Sequence, residues 1–209
     1  RLAAGSNRLF KVTKTGEVKN IITGLDPMVD ANWADSVQIG EKSTLPQSIV
    51  AYERTVFIGK PEGLFGIGDN GFGMPVIRRM AREATNTFGM TPMDPWLLVP
   101  HVGGLYRYLP GTVETIGVEK ELLNESPIIG RWKAFAVLGD WIFGAMLVGT
   151  DTYIMVGRER RSGESGFSSI VWDTWLYFTG ACSSLWITGT LDTPILFMGK
   201  GNDVIDVRL

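Results

Sequence analysis

The sequence has very little of the residues on which many metal sites and disulfide-stabilised folds depend. Among its 209 residues, Cys182 is the only cysteine and His101 is the only histidine. One cysteine excludes an internal disulfide and a cysteine cluster for zinc, and one histidine excludes a site that needs two imidazoles. No uninterrupted apolar run approaches the roughly 20 residues of a membrane-spanning helix. We therefore expect no bound metal, no cofactor and no insertion into a membrane.

Charge of a single sign is also scarce. The chain has 20 lysines and arginines against 22 aspartates and glutamates, with a net charge of −2. Because this leaves no broad basic field, nucleic acid is not expected as a partner. The hydrophobic fraction of 44% and the charged fraction of 20% are close to the globular average, which argues against disorder. The sequence begins at Arg1 without a signal-peptide pattern, and we expect a segment of a longer polypeptide.

What the sequence has in abundance is glycine and aromatic residues, and these recur along the chain. There are 26 glycines, 7 tryptophans, 10 phenylalanines and 5 tyrosines, which favour short strands and tight turns over long helices. Five segments share a turn followed by an aromatic residue, and the aromatic positions are Phe10, Phe65, Tyr106, Tyr153 and Phe197. Their separations of about 40 to 55 residues agree with the length of one four-stranded propeller blade.

Most copies continue with a short strand, a second tight turn and a last strand. The second turns lie at residues 14–17, 69–71, 110–112 and 200–203. Strand, turn, strand, turn, strand is an antiparallel meander, and residues 134–138 and 175–178 are candidate leading strands. One meander cannot bury both of its faces, whereas copies stacked face to face around an axis can.

The sequence therefore predicts an all-β fold of β-propeller-like antiparallel meanders. We expect about four units, forming part of a larger ring, within a single propeller segment that covers residues 1–209. The approximate unit ranges are 1–47, 48–90, 91–130, 131–166 and 167–209. Residues 75–84 depart from the pattern, because their apolar positions have the spacing of one helix face. They predict one short helical insertion at the rim.

The motifs that resemble catalytic or cofactor sites are better explained as turns. Residues 66–71 match the glycine pattern of dinucleotide-binding proteins, but these glycines coincide with the second hairpin of the repeat. Glu53, Asp140, Asp151 and Asp173 are candidates for a glycosidase pair, yet nothing in their spacing selects two of them. We predict no catalytic, cofactor-binding or metal-binding residue and no enzyme activity.

The tryptophans leave two interpretations open. Most lie in or beside proposed strands: Trp96, Trp132, Trp141, Trp172, Trp175 and Trp186. They fit either core packing between blades or a stacking surface for sugars or another chain. The choice depends on strand register, and the ligand-binding residues therefore stay unassigned.

Several segments resemble the blades of propeller-type proteins encoded among the tail and structural genes of tailed bacteriophages. They are residues 63–68, 104–111, 139–143, 181–187 and 194–201, and the resemblance extends from about Ser48 onward. It implies a non-enzymatic tail or tail-tip module of the virion that mediates assembly or binding to the host surface. The implied partners are other virion chains, a second copy or a host-surface glycan.

Two alternatives stand beside that interpretation. Similar Gly-Leu-Tyr and Gly-Leu-Phe hairpins recur in the sensor propellers of bacterial signalling proteins, which favours a ligand-binding or sensor propeller. The third is a carbohydrate-active enzyme, which predicts two carboxylates converging in one cleft.

Overall fold

The structure is a computed structural model. It describes residues 2–5, 8–22, 24–69, 75–81, 89–101, 104–110, 112–117, 130–161 and 168–208. In this part of the chain the regular structure is β-strand, apart from one 3₁₀-helical turn at Asp30–Asn32. No helix there is long and apolar enough to span a membrane. The strands form five antiparallel sheets, which we number in chain order.

The first compact unit, Arg1–Phe88, contains two sheets of four strands. The first sheet consists of β1 (Leu2–Gly5), β2 (Arg8–Val12), β3 (Glu17–Ile22) and β4 (Val37–Gln38). The second consists of β5 (Ser48–Tyr52), β6 (Thr55–Lys60), β7 (Gly63–Asp69) and β8 (Pro75–Ala81). The two sheets bury a shared apolar core that contains Phe10, Val12, Val18, Ile39, Val56, Ile58, Phe65 and Ile67.

The second unit, Gly89–Leu209, contains the other three sheets. The third sheet consists of β9 (Thr91–Met93), β10 (Trp96–His101), β11 (Gly104–Leu109) and β12 (Thr112–Thr115). The fourth consists of β13 (Arg131–Leu138), β14 (Trp141–Val148), β15 (Asp151–Arg161) and β16 (Ser168–Phe178). The fifth consists of β17 (Cys182–Gly189), β18 (Pro194–Lys200) and β19 (Asp203–Arg208).

The fourth sheet is covered on both faces. One face packs on the third sheet through a cluster around Trp132 and Trp172, and the other packs on the fifth sheet through a cluster around Phe143 and Leu196. Successive side chains of a strand point to opposite faces, so a strand covered on both sides is apolar throughout. The run Trp141–Val148 in β14 has this character.

These sheets confirm the predicted repeat of antiparallel meanders. In every sheet the order of the strands in space is their order in the chain, so each strand pairs with the one before it. Residues 134–138 do lie in a leading strand, β13. The sequence before Ser48 forms a four-stranded sheet of its own, and the described strands form five sheets.

Two predictions of local structure are wrong. The helix predicted for residues 75–84 is instead β8 over Pro75–Ala81, which pairs with β7, while residues 82–84 lie outside the described part. One edge of β7 pairs with β6, and its other edge offers backbone hydrogen-bond partners to residues 75–81. These hydrogen bonds favour a strand over the helix that the apolar spacing predicts. Residues 175–178 do not lead the fifth sheet, because they belong to β16 and pair with β15.

Candidate binding groove

A groove of about 350 Å³ lies between the fourth and fifth sheets. Six of its residues come from β13, β14, β15 and β16, and two come from the connection to β18 and its first residue. They are Leu138, Trp141, Phe143, Val156, Arg158, Asp173, Leu191 and Pro194. The groove combines an apolar floor with two charged side chains, which makes it the best candidate for a functional site.

The register of the fourth sheet brings these side chains together. Leu138 is opposite Trp141, and Trp141 is opposite Arg158 on the next strand. In the neighbouring row, Phe143, Val156 and Asp173 are opposite one another. Residues directly opposite in an antiparallel sheet share a face, and positions two apart along a strand share it too. Both rows therefore point toward the fifth sheet.

A tight turn closes one end of the groove. Gly139 lies in the two-residue turn between β13 and β14 and has a φ of 56°, a left-handed conformation that glycine adopts without steric cost. A Cβ at this position would be 3.5 Å from the side chain of Leu191. The close approach of these two connections encloses one end of the groove.

The charged side chains of the groove are accessible to solvent. Arg158 Nη2 is 3.7 Å from Asp173 Oδ2, and both side chains are more than half exposed. The guanidinium of Arg158 also lies over the ring of Trp141, 4.9 Å from its centroid. An exposed ion pair of this kind contributes only about 0–1 kcal/mol to stability. Both groups can therefore turn to an incoming ligand at little cost.

The carboxylates considered for catalysis do not meet in this groove. Asp173 is the carboxylate among the residues that line it, and its partner is the cation Arg158. Glu53 lies in the turn between β5 and β6 with a φ of 52°, and Asp140 is exposed in the turn between β13 and β14. Among the described residues no group of three or more histidine, cysteine, aspartate and glutamate side chains could hold a metal ion.

Asp151 holds the connection that follows the fourth sheet. Tyr177 Oη donates a hydrogen bond of 2.7 Å to Asp151, and the backbone NH of Gly180 donates another of 3.1 Å. The bond from Tyr177 is the larger cause that holds the pKa of Asp151 below its ordinary value. The same bond raises the pKa of the Tyr177 phenol. These contacts fix the connection between β16 and β17.

Two buried cations also have structural roles. Arg107 in β11 forms an ion pair of 2.5 Å with Glu114 and one of 3.4 Å with Glu159, which links the third and fourth sheets. In the first unit Lys60 is fully buried and donates hydrogen bonds to the carbonyl groups of Ile39 and Glu41. Lys60 also pairs with Glu62 at 3.2 Å.

The tryptophans divide between the two interpretations. Trp132 and Trp172 pack in the core with ring centroids 5.1 Å apart, and Trp172 Nε1 donates a 2.6 Å hydrogen bond to the carbonyl of Ile116. Trp96 is covered by the guanidinium of Arg107. Trp141 contributes to the groove, and Trp186 is 64% exposed on the fifth sheet. The side chains of Trp175 and His101 lie outside the described part of the structure.

Solved structures with the same arrangement of strands are β-propeller domains. The β-propeller domain of Vanderwaltozyma polyspora Nup133 matches with a TM-score of 0.59 at 10% identity, over 100% of this chain and 68% of that chain. The chain has a β-propeller-type fold. The N-terminal domain of Nup159 matches with a TM-score of 0.56 at 8% identity, over 100% of this chain and 59% of that chain. BBS1N, crystallised in complex with ARL6DN, matches with a TM-score of 0.55 at 12% identity, over 100% of this chain and 64% of that chain.

The propeller likeness concerns the fold alone, because the identities are low. No known family and no curated protein match the sequence. The chain spans about three fifths to two thirds of the length of these propeller chains. The three matches confirm the predicted propeller-type fold, and their names give no link to bacteriophage tails.

Sequence reasoning missed Arg158 and Leu191 as members of a propeller groove. Arg158 lies in the polar end of β15, which continues to Arg161 and has no apolar alternation to mark it as a strand. Leu191 lies in the connection between β17 and β18, where no strand pattern applies. The signal that finds Arg158 is the pairing register, which places it opposite Trp141.

Proposed function

We propose that this protein is a non-enzymatic binding module that holds a short segment of a partner polypeptide in the groove between the fourth and fifth sheets. The observation that carries the proposal is the exposed pair of Arg158 and Asp173 beside an apolar floor. An extended peptide has the matching chemistry, since it offers carbonyl groups to Arg158, amide groups to Asp173 and a side chain to the floor.

The size and charge of the groove favour a peptide over a polyanion. Its volume of about 350 Å³ is at the small end of ligand pockets, which range from about 300 to 1,000 Å³. One anchoring apolar side chain and its backbone fit that scale. A phosphate-rich ligand would meet the carboxylate of Asp173 as closely as the guanidinium of Arg158. Because the charges of Arg158 and Asp173 cancel, the groove suits a dipolar ligand such as a peptide backbone.

Trp141, the more exposed aromatic ring of the groove, does not offer a free platform for a sugar. Sugar stacking uses an uncovered ring face, and the guanidinium of Arg158 lies over the ring of Trp141, so a sugar would first have to displace it. A similar fold in BBS1N was crystallised in complex with ARL6DN, so at least one propeller of this kind holds another protein. Both points support a polypeptide partner.

Selection from a displayed library of random linear peptides tests the proposal. We expect the wild-type protein to enrich peptides with one apolar anchor by at least tenfold, and Leu191→Arg to abolish the enrichment by filling the groove with charge. Leu191 is exposed in a connection, so its replacement leaves the core intact. Val204→Thr, at an exposed position on the other face of the fifth sheet, is the matched control and should enrich the same peptides. No enrichment, or equal enrichment by Leu191→Arg, would refute the proposal.

The narrower role, a tail or tail-tip module of a bacteriophage virion, is a second proposal that rests on the sequence resemblance. In that setting the groove would hold a segment of another virion protein or a host-surface protein. Mass spectrometry of purified particles should then detect this chain in a fixed ratio to the other tail proteins. Its absence from infectious particles would refute the virion role and leave a ligand-binding or sensor propeller.

Hydrolysis of a host-surface glycan that is lost in Asp173→Asn would instead support the carbohydrate-active enzyme.

A further inference from the structure

The fifth sheet has one buried face and one face that solvent reaches. Leu196, Met198 and Cys182 are buried on the face toward the fourth sheet. We call the opposite face the outer face, and the strand register gives its composition. It presents large apolar residues together with exposed polar ones, among them Trp186, Phe197, Val204, Ser184, Thr188 and Asp206. The outer face is therefore amphipathic.

The exposed tryptophan of the outer face is held in a fixed orientation. Trp186 on β17 is opposite Phe197 on β18, and their rings stack with centroids 5.3 Å apart at 28°. Trp186 is nevertheless 64% exposed, whereas Phe197 is half-buried. Phe197 thus supports one side of the indole and leaves most of it open to solvent. A ring that is ordered in advance loses little conformational freedom when a ligand covers it.

Polar side chains flank this aromatic pair. Asp206 on β19 is opposite Phe197, so it ends the row that begins at Trp186. Ser184 and Thr188 are two residues before and two residues after Trp186 on β17, and they share its face. Oxygen atoms that can form hydrogen bonds therefore lie along the strand and across the sheet from the indole.

A β-bulge adds another hydroxyl group beside Ser184. The pairing of β17 with β18 shifts between Cys182 and Ser184, which makes Ser183 the extra residue. Ser183 Oγ donates a 3.2 Å hydrogen bond to the carbonyl of Gly199. A Cβ at Gly199 would be 2.8 Å from Ser183 Oγ and closer still to Ser184 Oγ. The glycine thus leaves room for two hydroxyl groups above β18.

The polar groups and the small area of the outer face disfavour a protein partner. An apolar surface laid over Ser184, Thr188 and Asp206 would remove these exposed groups from water without replacing their hydrogen bonds. Three strands about 4.8 Å apart and seven residues long present a face of only a few hundred Å². A standard stable interface between proteins buries about 800 Å² on each partner. A small amphipathic ligand suits the face better.

We propose that the outer face binds an uncharged oligosaccharide. The C–H hydrogens on the face of a sugar ring carry partial positive charge, which matches the negative face of the indole of Trp186. Sugar hydroxyl groups both donate and accept, so they can pair with the hydroxyl of Ser184 or Thr188 and donate to the carboxylate of Asp206. Trp186 and Asp206 are two strand spacings apart, about 10 Å, which a chain of several sugars spans. The carboxylate in this row repels acidic sugars.

A printed array of oligosaccharides tests the proposal. The array displays uncharged chains of glucose, galactose, mannose and N-acetylglucosamine beside the same chains capped with sialic acid. We expect the protein to bind a subset of the uncharged chains, and Trp186→Leu to weaken that binding at least tenfold. Trp186→Phe keeps an aromatic face and should retain most of the binding. Leucine keeps apolar bulk without a π face, so the pair of variants separates ring stacking from a merely structural role.

Leu191→Arg is the control that separates this site from the groove. It should lose the enrichment of peptides and still bind the same oligosaccharides as wild type. Failure of the protein to bind any uncharged chain would overturn the proposal, as would equal binding by Trp186→Leu. Binding of the sialylated chains alone would show that the face selects acidic sugars instead. A dimer that Trp186→Leu disrupts, without binding to the array, would assign the face to a second copy.

Discussion

At the scale of single residues, two glycines of the fourth sheet decide how its core is packed. Gly144 lies on β14 under the ring of Trp132, and Gly157 lies on β15 under the ring of Trp172. The two tryptophans lie on β13 and β16, the outer strands of this sheet, and their ring centroids are 5.1 Å apart. A glycine without a side chain lets each ring lie directly on the backbone of the neighbouring strand.

Gly144→Ala should destabilise the protein by about 1–3 kcal/mol, the usual cost of overpacking a core. Its methyl group would overlap the ring of Trp132 and come within 2.9 Å of Phe135. Trp132 cannot move aside, because it is 1% exposed and packs on Trp172. The free energy of unfolding in urea, followed by tryptophan fluorescence, measures the change.

Gly68→Ala is the matched control for that prediction. Gly68 also lies within a strand, β7, but its added methyl group would be 3.9 Å from the nearest atom, Thr55 Oγ1. We expect this variant to be neutral or slightly more stable, by up to about 1 kcal/mol, because alanine restricts the unfolded chain. Equal losses in both variants would show that Trp132 is not the cause.

At the scale of strands and sheets, the turns and the meander order were predictable from the sequence, whereas the register of the paired strands was not. Aromatic residues that follow tight turns marked the positions of the meanders. This works because the residues of a turn themselves determine whether a hairpin forms. The strand at Pro75–Ala81 was missed because its apolar spacing is that of a helix face, and its pairing with β7 overrides this local pattern. The groove was missed for the same reason, since Trp141, Arg158 and Asp173 meet only through the register of three strands.

The connection between the fourth and fifth sheets should weaken in acid. The pKa of Asp151 is lowered in the folded protein, mainly by the hydrogen bond from Tyr177, below its ordinary value of 3.8. Its contribution to stability is therefore complete above about pH 4 and is lost as the pH falls through the folded pKa. Asp151→Asn removes the charge and keeps the shape of the side chain.

We expect Asp151→Asn to be less stable than wild type at pH 7 and to differ less from it as the pH falls to 3. Urea unfolding at a series of pH values measures both proteins. Asp192→Asn, an exposed aspartate in the connection between β17 and β18, is the control and should follow wild type throughout. A difference between Asp151→Asn and wild type that stays constant with pH would contradict the account.

At the scale of the whole molecule, repetition explains both the stability of the sheets and their capacity for binding. Each meander leaves two faces to be covered, and the second unit shows how neighbours cover them on either side of the fourth sheet. Connections such as the one that contains Leu191 do not pack between sheets. They can therefore form a groove without disturbing the apolar core. Apolar runs in the sequence therefore predict which strands are packed on both faces. They do not predict what binds in the groove.

The measurement that tests the central claim most directly is a crystal structure of the protein bound to a peptide selected from the library. We expect one apolar side chain on the floor at Phe143 and against Leu191 at the end of the groove, with the peptide backbone held between Arg158 and Asp173. A peptide bound elsewhere, with this groove unchanged, would contradict the proposed function.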